Sequence, residues 1–235
     1  MSHLKKAAIG IIGAMQIEVE ALCAAMTNSE IETVGNMTFV YGDLRGKKVV
    51  CAKCGIGKVF AAMCAQTMIL RYAPDAIVNI GVAGTLTKDL GVMDIAIAGQ
   101  VCQHDMDTSA LGDPVGLVSG ADRIYFPADL TIVGTLEQCA DTLGFRHSTG
   151  TIASGDQFIH TPEKKQYLSE QFGAIAAEME GGSVGQVCFV NGVPFAVLRT
   201  ISDGDGGTMD YNTFAALAAR NSIQVVRAFI AAYGG

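Results

Sequence analysis

The sequence predicts an α/β protein: one domain over residues 1–235, in three layers, with a central mixed β-sheet between helices. Three observations carry this. Short apolar runs alternate with segments of helical spacing along the whole chain. Half of the 235 residues are apolar and 17% are charged, enough for a sizeable core. The 28 glycines, against 5 prolines and with no Gly-X-Y period, suit many tight strand–helix turns.

The elements follow in order. Residues 7–15 form an apolar first strand. Residues 16–27 carry Ile17, Ala21, Leu22, Ala25 and Met26 at helical spacing, which puts Glu18 in the first turn of a helix. Residues 37–53 read as two strands joined around Gly46, and this hairpin makes the sheet mixed. Residues 57–72 are helical and Pro74 stops them. A buried strand at 75–84 runs into a glycine-rich turn, and 92–101 is a further strand. Residues 104–125 read as loop, 129–143 as helix and 148–154 as a strand ending at Gly155-Asp156. Thr161-Pro162-Glu163 opens a helix over 161–171. The strand at 173–180 ends on Glu178 and Glu180, and 181–190 is helical. The last strand, 193–202, leads to Asp203, a glycine-rich stretch at 204–207 and a long helix over 211–232.

Composition excludes several classes. A net charge of −7, from 16 basic and 23 acidic residues, argues against a nucleic-acid binder. A mean hydropathy of +0.34 argues against disorder. Seven cysteines, an odd number in a chain of this length, do not read as a disulfide framework and fit a reducing cytosol. Cys51 and Cys54 lack a second ligand pair and read as thiols at a strand end, not as a zinc or redox site. Lys5-Lys6 and the apolar run after them lack a cleavage site and read as a first strand, not a signal peptide. No stretch reaches the length of a membrane span.

Several short patterns lack their required context. Gly181-Gly182-Ser183-Val184-Gly185 fits a nucleophile elbow, but no histidine follows His160, so Ser183 reads as a packed small residue. Gly55-Ile56-Gly57 lacks the third glycine of a dinucleotide fingerprint, since Phe60 stands there. The run from Asp203 to Gly207 lacks the closing glutamate of a calcium loop. His104, Asp105 and Asp107 have no partner cluster and read as a solvated loop, not as metal ligands. What remains is carboxylates at strand ends, where open α/β sheets bind ligands: Glu18, Glu178, Glu180 and Asp203. Such a pocket suits a neutral or cationic polar ligand, with carboxylates free to pair with sugar hydroxyls.

Six segments carry a resemblance: GIIGAMQIEVEAL (10–22), CGIGKVFAAMCAQ (54–66), VNIGVAGTL (78–86), SGDQFI (154–159), AAEMEGGSVGQVC (176–188) and VPFAVLRTISD (193–203). In this order they resemble the bacterial 5′-methylthioadenosine/S-adenosylhomocysteine nucleosidases of the purine nucleoside phosphorylase superfamily. The resemblance implies a nucleoside phosphorylase/hydrolase-like fold and hydrolysis of the N-glycosidic bond to adenine and a thio-ribose, with no metal or organic cofactor. It places the base that activates water on Glu18 and the acid that protonates adenine N7 on Asp203, supported by Ser202. Ribose falls to Met179 and Glu180, with Glu178 beside them and Arg199 near the site. Phe158 would stack on adenine and Ile159 would offer it backbone hydrogen bonds. Met15, Ile56 and Tyr211 would line the 5′-thio pocket, and Ala83 and Gly84 belong to the binding turn.

The same resemblance implies a homodimer in which Thr108 and Leu111 reach the partner's pocket, while the cysteines point to the cytoplasm and the composition to neither nucleic acid nor membrane as partner. The physical logic agrees. The leaving base needs an acid still protonated near neutral pH, which burial can provide. The attacking water needs an ionised base, which a helix N-terminus favours. Val82 stands where phosphorylases place a hydroxyl for phosphate, no G-x-R-x-G lies near the N-terminus, and water is therefore the expected nucleophile. Gln157 stands where a small residue is common and bears on base contacts. The alternatives are a related phosphorylase, an aminofutalosine hydrolase, or a nucleoside-binding protein without turnover.

Overall fold

A computed structural model describes residues 5–204 and 208–234. The chain opens with strand β1 (Ile9–Gly13) and helix α1 (Gln16–Ala24). Three strands follow, β2 (Thr27–Val34), β3 (Met37–Leu44) and β4 (Lys47–Lys53), and then α2 (Lys58–Tyr72). Next come β5 (Ala76–Thr85), β6 (Ile95–Gln103), β7 (Tyr125–Pro127) and α3 (Leu130–Thr142). The chain continues through β8 (His147–Ser154), α4 (Pro162–Phe172), β9 (Ala174–Glu178) and α5 (Gly181–Asn191) to β10 (Phe195–Asp203) and α6 (Thr208–Ala232).

The mixed sheet runs in the order β10-β6-β8-β9-β5-β1-β4-β3-β2, with β7 on β6. β10 also pairs with β5, so β10, β6, β8, β9 and β5 close into a ring, and the other strands extend from it. The alternation of elements predicts the mixed sheet. It does not reveal the closure, which depends on pairings distant in sequence. The central strands are apolar on both faces: every residue of β1 and of β10 is buried. Helix α6 packs along β10 and β5 and touches α1 and α3, while α2 packs on α5. Helices thus cover both faces of the strands that carry the site.

Two elements depart from the expectations. The segment after α1 forms β2, which has mostly exposed residues and pairs only through β3. The loop expected over 104–125 holds two single-turn 3₁₀ segments and ends in β7, paired with β6. Both strands lack the apolar alternation of a half-buried strand, which is why the pattern does not show them.

The Gly181–Gly185 run has a packing cause. A Cβ on Gly185 would lie 2.6 Å from Val101 Cγ2 and 2.8 Å from a Phe195 ring carbon. The glycine lets α5 approach the sheet closely. Ser183 is buried in the first turn of α5 and donates to the Glu180 carbonyl at 2.8 Å, so it is a packed residue and not a nucleophile.

Candidate active site

A cleft of about 650 Å³, counting its open mouth, lies where several strands end. The turn from β1 into α1 delivers Ala14 and Met15, and α1 delivers Glu18. β5 contributes Val82, Ala83 and Gly84; β9 contributes Ala177 and Glu178, and Met179 and Glu180 follow it. β10 brings Ser202 and Asp203. Ile56, Phe158 and Tyr211 complete the wall. This is the carboxyl-end position expected of α/β ligand sites.

Glu18 is fixed by the local structure that its own helix requires. It is the third residue of α1, and its Oε2 accepts from the Met15 N–H (2.8 Å) and the Ala14 N–H (2.7 Å). Otherwise unpartnered donors at the helix start are thereby satisfied. Glu18 is 3% exposed. Burial pushes its carboxyl above the ordinary value, against the Met15 N–H, the Arg199 charge and the Ala14 and Val82 N–H groups. The helix start thus favours the charged form, as expected, but burial outweighs it. A Cβ at position 81 would lie 2.7 Å from Glu18 Oε1, so glycine is what admits the carboxylate here.

Behind the cleft lies a buried charge cluster. Arg199, 1% exposed, donates through Nη2 to a Glu178 carboxylate oxygen and to Asn79 Oδ1 (2.5 Å), and the same nitrogen lies 3.7 Å from Glu180 Oε2. Burial pushes Glu178 up, but the Arg199 charge, the Ser154 hydroxyl and the Gly181 N–H outweigh it, and Glu178 stays below its ordinary value. Glu180 goes the other way. Burial and the neighbouring Glu178 charge raise it to about 8, against Arg199 and the Gly57 N–H, which donates to its Oε1 at 2.9 Å. Two adjacent carboxyls are therefore driven in opposite directions, Glu178 toward the ionised form and Glu180 toward the protonated one. For Arg199 itself burial opposes the charge, but Glu178, Glu180 and Glu18 overcome it and raise its pKa.

Asp203, 2% exposed, ends β10 beyond a register shift in the β10–β5 pairing, opposite Gly84. Such an irregularity re-aims a side chain at a strand end. A Cβ on Gly84 would meet Asp203 Oδ2 at 2.8 Å. Ser202 Oγ donates to Asp203 Oδ1 at 3.1 Å. Lys165 Nζ stands 3.9 Å from Oδ2 and donates to the Gly204 carbonyl at 2.6 Å.

The apolar walls are built from Phe158, Tyr211, Ile56 and Met15. Phe158 is 41% exposed and meets the Tyr211 ring edge-on, with centroids 5.6 Å apart. The Tyr211 hydroxyl donates to Met15 Sδ at 3.4 Å. Of the predicted residues, Arg199 lies behind the carboxylates and not on the wall. Ile159 does not line the cleft either; its side chain packs with Leu86, Leu168 and Phe172. Gln157 is exposed outside the lining. Thr108 and Leu111 lie on the loop after β6, with Thr108 Oγ1 on Asp113 (2.8 Å) and Leu111 83% exposed, and neither lines this chain's cleft.

Ala14 and Ala177 line the cleft without having been singled out in the sequence. Their only signal is adjacency to Met15 and Glu178. Among the described residues no group of three or more His, Cys, Asp and Glu could hold a metal ion. Asp105 instead pairs with Lys58, and Asp107 accepts from the Ser109 N–H. Residues 205–207 of the aspartate–glycine run lie outside the described residues.

The fold and site define a class, and sequence comparison agrees with it: residues 8–231 match the phosphorylase superfamily, and the chain belongs to that family. Among its relatives are the 5′-methylthioadenosine/S-adenosylhomocysteine nucleosidases. The one from Shewanella oneidensis is 38% identical over 221 residues, covering 93% of this chain and 94% of that one. The nucleosidase of Neisseria meningitidis, solved with methylthio-immucillin-A, superimposes with a TM-score of 0.91 at 32% identity, covering 95% of this chain and 98% of that one. Futalosine hydrolase of Helicobacter pylori superimposes with a TM-score of 0.90 at 34% identity, covering 97% of each chain.

Proposed function

We propose that the chain is a single-domain N-glycosyl hydrolase that cleaves 5′-methylthioadenosine and S-adenosylhomocysteine to adenine and the 5′-thio-substituted ribose. The observation that carries this reading is the grouping of Glu18, Glu180 and Asp203 in one cleft with a phenylalanine at its mouth. Water adds to the anomeric carbon as the bond to N9 breaks. Glu18 takes the proton of that water, and Asp203 gives one to adenine N7. Ser202 positions Asp203 through its hydrogen bond. Glu180, with Met179, binds the ribose hydroxyls; Glu178 and Arg199 hold Glu180 in place from behind. Phe158 stacks on the base, and the Ile159 backbone pairs with it. Met15, Ile56 and Tyr211 receive the 5′-thio group. Ala83 and Gly84 let the base lie against backbone.

Arg199 and Lys165 stand within 4 Å of the site carboxylates, and both cations are engaged there. Val82 offers no hydroxyl. A phosphate nucleophile needs charge-assisted donors, and valine at this position supplies none, which favours water. The futalosine hydrolase neighbour supports a second reading, hydrolysis of an adenine nucleoside with a different 5′ group, by the same residues.

The chain works as a homodimer in the cytoplasm. Ile56 on the cleft wall and Val59 and Met63 on α2 stand more than 45% exposed, and Leu111 is 83% exposed on the loop after β6, apolar residues that a second copy would cover. All seven cysteines are free, as suits a reducing compartment, and no described helix is long and apolar enough to cross a membrane.

The roles are tested with Asp203→Asn and Glu18→Gln, which keep shape and remove one proton-transfer group each. Each should lower adenine release by about 10²–10⁴-fold. Full activity in either variant would remove that residue from its role.

A further inference from the structure

The proposed chemistry uses groups that line the cleft. A second set of charged residues lies just outside it and ties its walls together. We propose that Lys58, Asp105 and Asp156 form a three-residue lock that positions the purine-side loop against the ribose-side carboxylate. The proposal rests on the function given above, and none of the three lines the cleft.

The three close a ring. Lys58 is the first residue of α2, and its backbone N–H donates to Asp156 Oδ1 at 2.8 Å. The Asp156 N–H donates to Asp105 Oδ2 at 2.9 Å. The Lys58 ammonium returns to Asp105 Oδ1 at 2.5 Å and also donates to Gln103 Oε1 at 3.1 Å. Lys58 and Asp105 side chains are only 17% and 15% exposed, so the pair is poorly screened. The three bonds of the ring join three segments pairwise: the turn into α2, the end of β6 and the loop after β8.

Those segments carry the site. The turn into α2 supplies Ile56 to the wall and the Gly57 N–H to Glu180. The loop after β8 supplies Phe158, two residues beyond Asp156. Gly57 has φ +100°, and a Cβ there would lie 2.9 Å from Asp156 Oδ1, so the turn is shaped to the carboxylate. Helix α2 has no side-chain cap of its own. Its first donors are instead satisfied by one carboxylate from each side of the cleft, Asp156 and Glu180. A shift of the turn would therefore move the base-stacking ring and the ribose contact relative to each other.

A lock of this kind acts on binding geometry, not on proton transfer. The test compares wild type with Asp105→Asn, Lys58→Met, the double variant and Lys58→Arg. Steady-state hydrolysis of 5′-methylthioadenosine, calorimetric titration with adenine and thermal melting are measured on each. Asp105→Asn and Lys58→Met should each raise KM and weaken adenine binding by about tenfold, the order of one charge-assisted hydrogen bond, with kcat within about threefold. The double variant should lose no more than the larger single loss, because the residues act as a unit. Lys58→Arg, which keeps the charge, should restore most of the affinity. Melting temperatures unchanged beside the lost affinity separate positioning from folding. Unaltered KM and adenine affinity, additive losses, or losses that follow melting temperature alone would overturn the lock. A wild type that neither hydrolyses the nucleoside nor binds adenine would overturn the functional reading on which it rests.

Discussion

Glu18 has two tasks set by one bond pattern. Its Oε2 completes the start of α1 by accepting the Ala14 and Met15 N–H groups, and the same bonds aim the carboxylate into the cleft. The side chain is thus positioned before any substrate arrives. Burial raises its pKa above the ordinary 4.5. A base works only when deprotonated, so activity should appear as pH rises through that raised value. The acid limb of kcat/KM, measured from pH about 4 to 9, should therefore have an apparent pKa above 4.5. A limb at or below that value would mean that another group acts as base. Glu18 was legible in the sequence because a carboxylate directly after an apolar strand is unexpected on a random surface. The raised pKa was not, because it depends on what covers the residue. Arg199 shows the same limit: its place within the last apolar strand is visible, but its partners Asn79 and Glu178 are distant in sequence.

At the scale of elements, close approach of α5 to the sheet places Glu180 at the helix start and Glu178 two residues before it, at the end of β9. The N–H groups of Glu180 and Gly181 donate to Glu178 Oε2 at 3.0 and 2.7 Å, so the helix start itself binds the buried carboxylate. Gly185 permits that approach. Gly185→Ala should be destabilising by about 1–3 kcal/mol through overpacking against Val101 and Phe195. Urea unfolding would measure this, and a variant as stable as wild type would show that the helix can shift without cost. Helical spacing and apolar runs revealed most elements with boundaries a few residues off. They did not reveal β2 or β7. The first is largely exposed and lacks an apolar face, and the second spans only Tyr125–Pro127. Neither strand lines the cleft, so the site residues are legible without them.

Across the whole molecule, the ring closed by the β10–β5 and β9–β5 pairings brings Asp203 and Ala177 to either side of Gly84. No local pattern contains that convergence, although the strand ends that meet there could each be read. Burying so many carboxyls also links stability to pH. The pKa of Glu180 is raised from 4.5 to about 8, so the folded state binds a proton that the unfolded state has released. That contribution is fully present below 4.5 and is lost as pH rises through about 8. Glu18 acts in the same direction and Glu178 in the opposite one. The urea midpoint should therefore fall between pH 5 and 8 in wild type and fall less in Glu180→Gln; equal slopes would show that Glu180 is already ionised in the folded state.

Hydrolysis that needs no phosphate can be read from the products. The purified protein is incubated with 5′-methylthioadenosine, with and without inorganic phosphate. Adenine and free methylthioribose should form in equal yield in both. Methylthioribose-1-phosphate formed only with phosphate, or no adenine in either, would contradict it.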